Sequence, residues 1–204
     1  TAEQDPHAIY DSVITATRNC LEQMESTSGV RRSEIACVGI ANQRETFVLW
    51  TDDGPLGNAV VWQCKRSVDI CEELKRAGVE PDIRERTGLI IDPYFSGTKA
   101  MWLARHDPEG QRALRRGSLR LGTVDSWLLY RLTGGSVHAT DVTNASRTLL
   151  FNIHSLQWDP ELAQILEVPS IVLPETHASP HAFGESTFDG LFSQPIPITA
   201  LVGD

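Results

Sequence analysis

An α/β fold, a mixed sheet flanked by helices, is the class this sequence predicts, on three observations. Stretches with apolar residues at helical spacing are interspersed with short apolar runs of strand length. One of those runs, Ile35–Ala41, is nearly continuous, as a strand covered on both faces would be. With 204 residues, 41% of them apolar, the chain has enough material for a core, in one large domain or two small ones. The pattern leaves the topology open.

The elements follow in order. Asp5-Pro6 supplies an N-cap and a first-turn proline, and Ile9, Val13, Ala16, Cys20 and Met24 then make one helical stripe, closed by Ser26–Gly29. Ile35–Ala41 is predicted as a buried strand, Thr46–Trp50 as a second strand and, after the turn Asp52–Pro55, Ala59–Trp62 as a third. The middle reads helical over 67–77, 96–105 and 108–116, then as a short strand at 120–123 and an amphipathic helix over 124–132 stopped by Gly134-Gly135. Residues 136–152, rich in Thr, Ser and Asn, show no sustained period. Asp159-Pro160 opens another helix to Glu167, and after a proline-bearing tail Ile198–Val202 is a last strand ending in Gly203-Asp204.

Charge narrows the function. Eighteen basic against 27 acidic residues give a net charge of −9 with no basic run, which argues against nucleic acid or an anionic membrane as partner. Cys20, Cys37, Cys64 and Cys71 form no C-x-x-C pair and lack a zinc-site spacing, so free thiols are expected. No apolar run approaches the roughly 20 residues of a membrane span. The first residues are polar and acidic, unlike a secretory leader, so a cytoplasmic location is expected.

Four clusters lie where α/β proteins gather ligands, just past apolar strands or beside turns. In Asn42–Thr46, Arg44 and Glu45 offer donors and acceptors side by side, suited to a ligand with several hydroxyls or, equally, to a polar loop with a surface ion pair. Trp62 can lay its face on the C–H side of a polyol, or pack as a rim residue. Tyr94 and Phe95 are displayed on the loop of Asp92–Lys99, for hydroxyl bonding or for packing. Asp204 follows an apolar strand, where a carboxylate can act as general base or a chain can fray. His138, Asp141 and His154 show no ligand spacing and read as structural.

At these clusters the sequence resembles the glycerol kinases of the FGGY carbohydrate kinase family. The resemblance runs through Gly39–Thr46, Ala59–Arg66, Arg86–Gly88, Asp92–Lys99, Gly122–Trp127 and Thr140–His154, in the family's order and nearly its spacing, from about Asp5 to Asp204. It implies a ribonuclease H-like (actin-like) domain. It also implies that Arg44 and Glu45 bond glycerol hydroxyls, Trp62 packs on the carbon skeleton and Tyr94 holds another hydroxyl. Asp204 would take the proton from the hydroxyl that attacks the γ-phosphate of ATP. The family's phosphate loop and nucleotide-binding domain have no counterpart in these residues. The expected arrangement is therefore the glycerol-binding domain, 1–204, incomplete at both ends, of a homo-oligomeric enzyme that uses ATP and Mg2+ through elements outside this chain. Alone it is expected to be inactive and to expose strand edges. The Gly- and Arg-containing loop that binds a sugar-bisphosphate inhibitor in some bacterial members is not visible in Asp189–Pro195. A non-catalytic polyol-binding module and a related FGGY sugar kinase are the alternatives.

Overall fold

The computed structural model describes residues 1–204. A short strand, β1 (Glu3–Gln4), precedes helix α1 (Pro6–Ser28). The Asp5 carboxylate accepts from the His7 N–H at 2.8 Å, Pro6 occupies the first turn, and Gly29 ends the helix at φ +69°. Such a cap stabilises by about 1 kcal/mol. The buried stripe differs from the predicted one: it runs through Tyr10, Ile14 and Leu21, with Ile9, Val13 and Met24 at its margin and Ala16 and Cys20 exposed. Tyr10 and Leu21 carry more apolar area than Ala16 and Cys20, and that area sets which face is buried.

A 3-10 turn (Arg32–Glu34) leads to β2 (Val38–Asn42), then β3 (Phe47–Thr51), β4 (Gly54–Pro55) and β5 (Ala59–Val60). Helices α2 (Val68–Arg76), α3 (Glu80–Thr87), α4 (Ser96–His106) and α5 (Pro108–Arg115) fill the middle, followed by β6 (Arg120–Thr123) and α6 (Val124–Leu132). Helix α3 is absent from the sequence reading because only Ile83 among its aliphatic positions is buried, too few for a stripe. The aperiodic stretch contains β7 (Ala139–Asp141), α7 (Val142–Ala145) and β8 (Phe151–Asn152). Then come β9 (Gln157–Trp158), α8 (Pro160–Ile165) with Asp159 as cap, β10 (Glu175–His177), β11 (Pro180–Ser186) and β12 (Ile196–Gly203). The proline-bearing tail thus holds two strands that its composition conceals.

The mixed α/β class holds, but not as one sheet covered on both faces. One sheet runs β1-β5-β3-β4 with β6 also on β3, a second runs β11-β12-β2, and β10-β7 and β8-β9 pair separately. The apolar run expected to be a doubly buried strand begins its pairing only at Val38 and lies at an edge, parallel to β12 on one side. Val38 and Ile40 lean on the core from that edge, while Gly39 and Ala41 face out. Two main cores result. The larger, around Phe47, Ile83, Ile91, Phe95 and Met101, lies under the first sheet and the central helices. The other, around Tyr10, Ile14, Leu128, Phe183 and Leu201, lies under the second. No helix is long and apolar enough to cross a membrane.

Candidate functional site

Because β2 and β12 are parallel, their carboxyl ends lie together, with Gly203 opposite Asn42. That register delivers Arg44 and Asp204 to one place, at the strand ends where α/β sheets take ligands. The Asp204 N–H donates to the Asn42 carbonyl at 3.0 Å, which ties the last residue to the sheet. The Arg44 stem crosses directly over Gly203: a Cβ there would lie 2.5 Å from both Cγ and Cδ of Arg44. Arg44 Nε sits 3.9 Å from Asp204 Oδ1, too far for a hydrogen bond, and this nitrogen is shielded from solvent with no protein acceptor. Asp204 itself is exposed.

Asp141 holds this corner together. Fully buried, it caps α7 by accepting from the Thr143 and Asn144 backbone N–H groups, and it also accepts from the Thr143 and Ser179 hydroxyls and the Asn144 side chain. Thr143 Oγ1 in turn accepts from the Gly203 N–H at 2.8 Å, and Asn144 exchanges hydrogen bonds with Asn42. The carboxylate thus fixes both strand ends that carry Arg44 and Asp204, a structural part as the sequence suggested. His138 donates through Nε2 to the Leu121 carbonyl, and His154 to that of Glu85.

Glu45 lies in a three-residue turn, its φ at +62° and the Thr46 N–H reaching the Arg44 carbonyl at 2.7 Å. A non-glycine residue there is strained, by about 1–3 kcal/mol, the kind of cost that collects at functional sites. The turn points Arg44 and Glu45 apart, so they do not pair with each other. The Glu45 carboxylate is 2% exposed and accepts from Arg147 Nε at 2.6 Å. Arg147 was not singled out from the sequence; its guanidinium also covers the Phe95 ring at 4.9 Å. The pair is separated by 102 residues, and no local pattern announces it.

Trp62 and Tyr94 complete the surface. Their rings lie 5.4 Å apart at 58°, both half-buried, and the Trp62 N–H donates to Thr46 Oγ1. The Tyr94 loop is set by Asp92, whose side chain accepts from the Tyr94 N–H at 2.8 Å. Behind it, Ser96 donates to the Glu45 carbonyl, and Gly97 lets α4 approach the Thr148 carbonyl, which a Cβ would meet at 2.6 Å. Arg44, Glu45 and Asp204 therefore stand on the second sheet and its turn, Tyr94 on the larger core with Trp62 packed against its ring, joined through Thr46 and α4. The arrangement offers one unsatisfied donor, two carboxylates and a tilted aromatic pair. No cluster of three or more His, Cys, Asp or Glu side chains is disposed to hold a metal ion.

Comparison with known proteins gives the family. The N-terminal domain of the FGGY family of carbohydrate kinases matches residues 1–204. The glycerol kinase of Halothermothrix orenii is 46% identical over 204 residues, and that of Bradyrhizobium diazoefficiens 52% over 206. Each match covers 99% of this chain and 40% of the relative, so the chain spans well under half the length of these curated relatives. The structure of Plasmodium falciparum glycerol kinase with ADP superposes with a TM-score of 0.85 at 34% identity, over 99% of this chain and 40% of that one. A Lactobacillus acidophilus gluconate kinase, at 23% identity and a TM-score of 0.82 over 100% of this chain and 40% of its own, shares the fold. By match, fold and the order of its motifs, this chain belongs to the FGGY family of carbohydrate kinases.

Proposed function

We propose that residues 1–204 are the substrate-binding half of an ATP-dependent glycerol kinase, with Arg44, Glu45, Trp62 and Tyr94 binding glycerol and Asp204 as the base. The observation that carries the reading is the exposed Asp204 carboxylate held at the strand ends beside Arg44, with no hydrogen bond between the two. The guanidinium can only donate and the carboxylate can only accept. At 3.9 Å they do not satisfy each other, so the exposed Asp204 carboxylate keeps its oxygens free to accept from a ligand donor, with the Arg44 charge beside it. An alcohol hydroxyl is such a donor. The tilted Trp62–Tyr94 pair supplies the apolar wall for a carbon skeleton, and Glu45, whose second oxygen no protein donor occupies, supplies a further acceptor.

The reaction follows from this placement. Asp204 takes the hydroxyl proton as the oxygen attacks the γ-phosphorus of ATP. The new O–P bond forms, the bond to the β–γ bridging oxygen breaks, and ADP leaves. Phosphoryl transfer depends mainly on positioning and charge, which a carboxylate on a backbone tied to the sheet and a polyol surface beside it would provide. These residues do not make up a magnesium site: Asp141 is saturated by protein donors, Glu45 is paired with Arg147 and Asp204 is a lone carboxylate, so no step here passes through the ion. The nucleotide is assigned to a part of the enzyme beyond these residues, and these residues alone are not expected to turn over. In the full-length enzyme Asp204→Asn should lower kcat by about 100-fold or more while the glycerol KM stays within a few-fold. An Asn variant with near-normal kcat would remove the base assignment.

A further inference from the structure

Of the three lysines, Lys99 alone is fully buried; Lys65 and Lys75 are exposed. It lies in the first turns of α4, where Ser96 to Met101 are all buried, and it makes no ion pair. An ammonium without an anion in such a place is costly, and burial pulls its pKa down to about 8. A fold that needed only volume here would be served better by Met or Leu.

The two acceptors of Lys99 show what the ammonium does. Nζ donates to the Tyr94 carbonyl at 2.8 Å and, more weakly, to the Val61 carbonyl at 3.4 Å. No backbone N–H reaches the Tyr94 carbonyl, so Lys99 is its donor. One acceptor belongs to Tyr94 itself and the other immediately precedes Trp62, the two residues whose rings meet at 5.4 Å. These segments are more than thirty residues apart in the chain and share no strand pairing, and Lys99 is bonded to both. We infer that Lys99 is a positioning residue for the polyol site: its buried ammonium clasps the Val61 and Tyr94 carbonyls and so sets the spacing and tilt of the Trp62 and Tyr94 rings. This rests on the reading of those rings as the wall against the substrate carbons, and it adds a residue that touches no substrate.

The charged and titratable groups that face the ammonium are Cys64, Glu45, Arg66 and Asp92. Among them the Cys64 thiol needs a control. Burial alone would raise its pKa, but hydrogen bonds from Ala2 and Arg66 and the charge of Arg66 outweigh that and hold it below its ordinary value.

The test is Lys99→Met in the full-length enzyme, read in two ways. Glycerol KM should rise about tenfold or more with kcat changed less than threefold, and the nuclear Overhauser contact between the Trp62 and Tyr94 rings should weaken. A folded Met variant that keeps both the wild-type KM and the ring contact overturns the inference. The ring contact is independent of the ligand, so if wild-type enzyme proves not to use glycerol, a lost contact still supports the clasp and a retained one sinks it. Should Lys99→Met fail to fold, wild type and Cys64→Ser are taken from pH 7 to 9.5. In both, the ring contact should weaken and glycerol KM should rise as Lys99 loses its proton above about pH 8; a contact and KM that stay flat in both overturn the inference.

Discussion

Gly203 shows how little room the site leaves at the level of single residues. A methyl group there would lie 2.5 Å from two carbons of Arg44, so the guanidinium must move for an alanine to fit. Displacements of about 1 Å at a reacting centre cost up to about 100-fold in rate. Gly203→Ala should therefore lower kcat/KM for glycerol by more than tenfold with the melting temperature little changed, and wild-type kinetics would mean that Arg44 is not placed as described. Arg147 acts differently. Its removal strips the partner from a buried carboxylate, and because Arg147 is partly exposed the loss should be about 1–3 kcal/mol, read as a lower urea midpoint for Arg147→Ala. A midpoint within 0.2 M of wild type would contradict the pairing. Arg44, Glu45, Trp62, Tyr94 and Asp204 could be proposed because each stands in a continuous stretch of polar and aromatic residues beside a strand or turn, and the family resemblance gave those stretches a role. Arg147, Lys99 and Gly203 could not, because their roles are contacts with residues far away in the chain or none that a local pattern encodes.

Among the elements, the layer of β6, α6 and β7 buries two groups that titrate in opposite senses. Burial raises Asp125 from its ordinary 3.8 to about 6, against hydrogen bonds from Thr123 and Thr140, and burial lowers His138 from 6.5 to about 4. Between pH 6 and 4 the folded state takes up the Asp125 proton that the unfolded chain does not, so this group adds stability as pH falls. Over the same window the unfolded chain protonates the histidine and the folded state does not, so His138 removes stability as pH falls. Over this window each contribution is about 2 kcal/mol, and they nearly cancel. Asp125→Asn leaves the histidine unopposed: the stability of the variant relative to wild type should fall by about 2 kcal/mol from pH 6 to 4 in urea titrations. Parallel profiles for the two proteins would refute the burial of Asp125 as a charge-sensitive group. Helix α4 depends instead on a close approach. Gly97→Ala would press a methyl against the Thr148 carbonyl and Leu166, and should destabilise by about 1–3 kcal/mol. Most helices and the strands β3, β6 and β12 were readable from period and caps. Helix α3 has a single buried aliphatic residue, and β10 and β11 sit among prolines, so neither carries a periodic signal.

For the molecule as a whole, the site is a product of topology. Parallel pairing of β2 with β12 joins residues about 160 positions apart and brings Arg44 to Asp204. The larger core independently carries Tyr94, against whose ring Trp62 packs. Neither the parallel register nor the division into two sheets is encoded in local periodicity, which explains why the apolar run at Ile35–Ala41 read as a doubly buried strand and is an edge strand instead. The family resemblance supplied what periodicity could not, since its motifs follow the site and not the elements. The central claim is that these two parts converge on one polyol surface. Titrating the protein with glycerol while following the Trp62 indole, the Tyr94 ring and the Arg44 Nε–H by NMR tests it most directly. Saturable shifts at all three, with one common dissociation constant, are the expected result; saturable shifts elsewhere, or none at these groups in a folded protein, would contradict it.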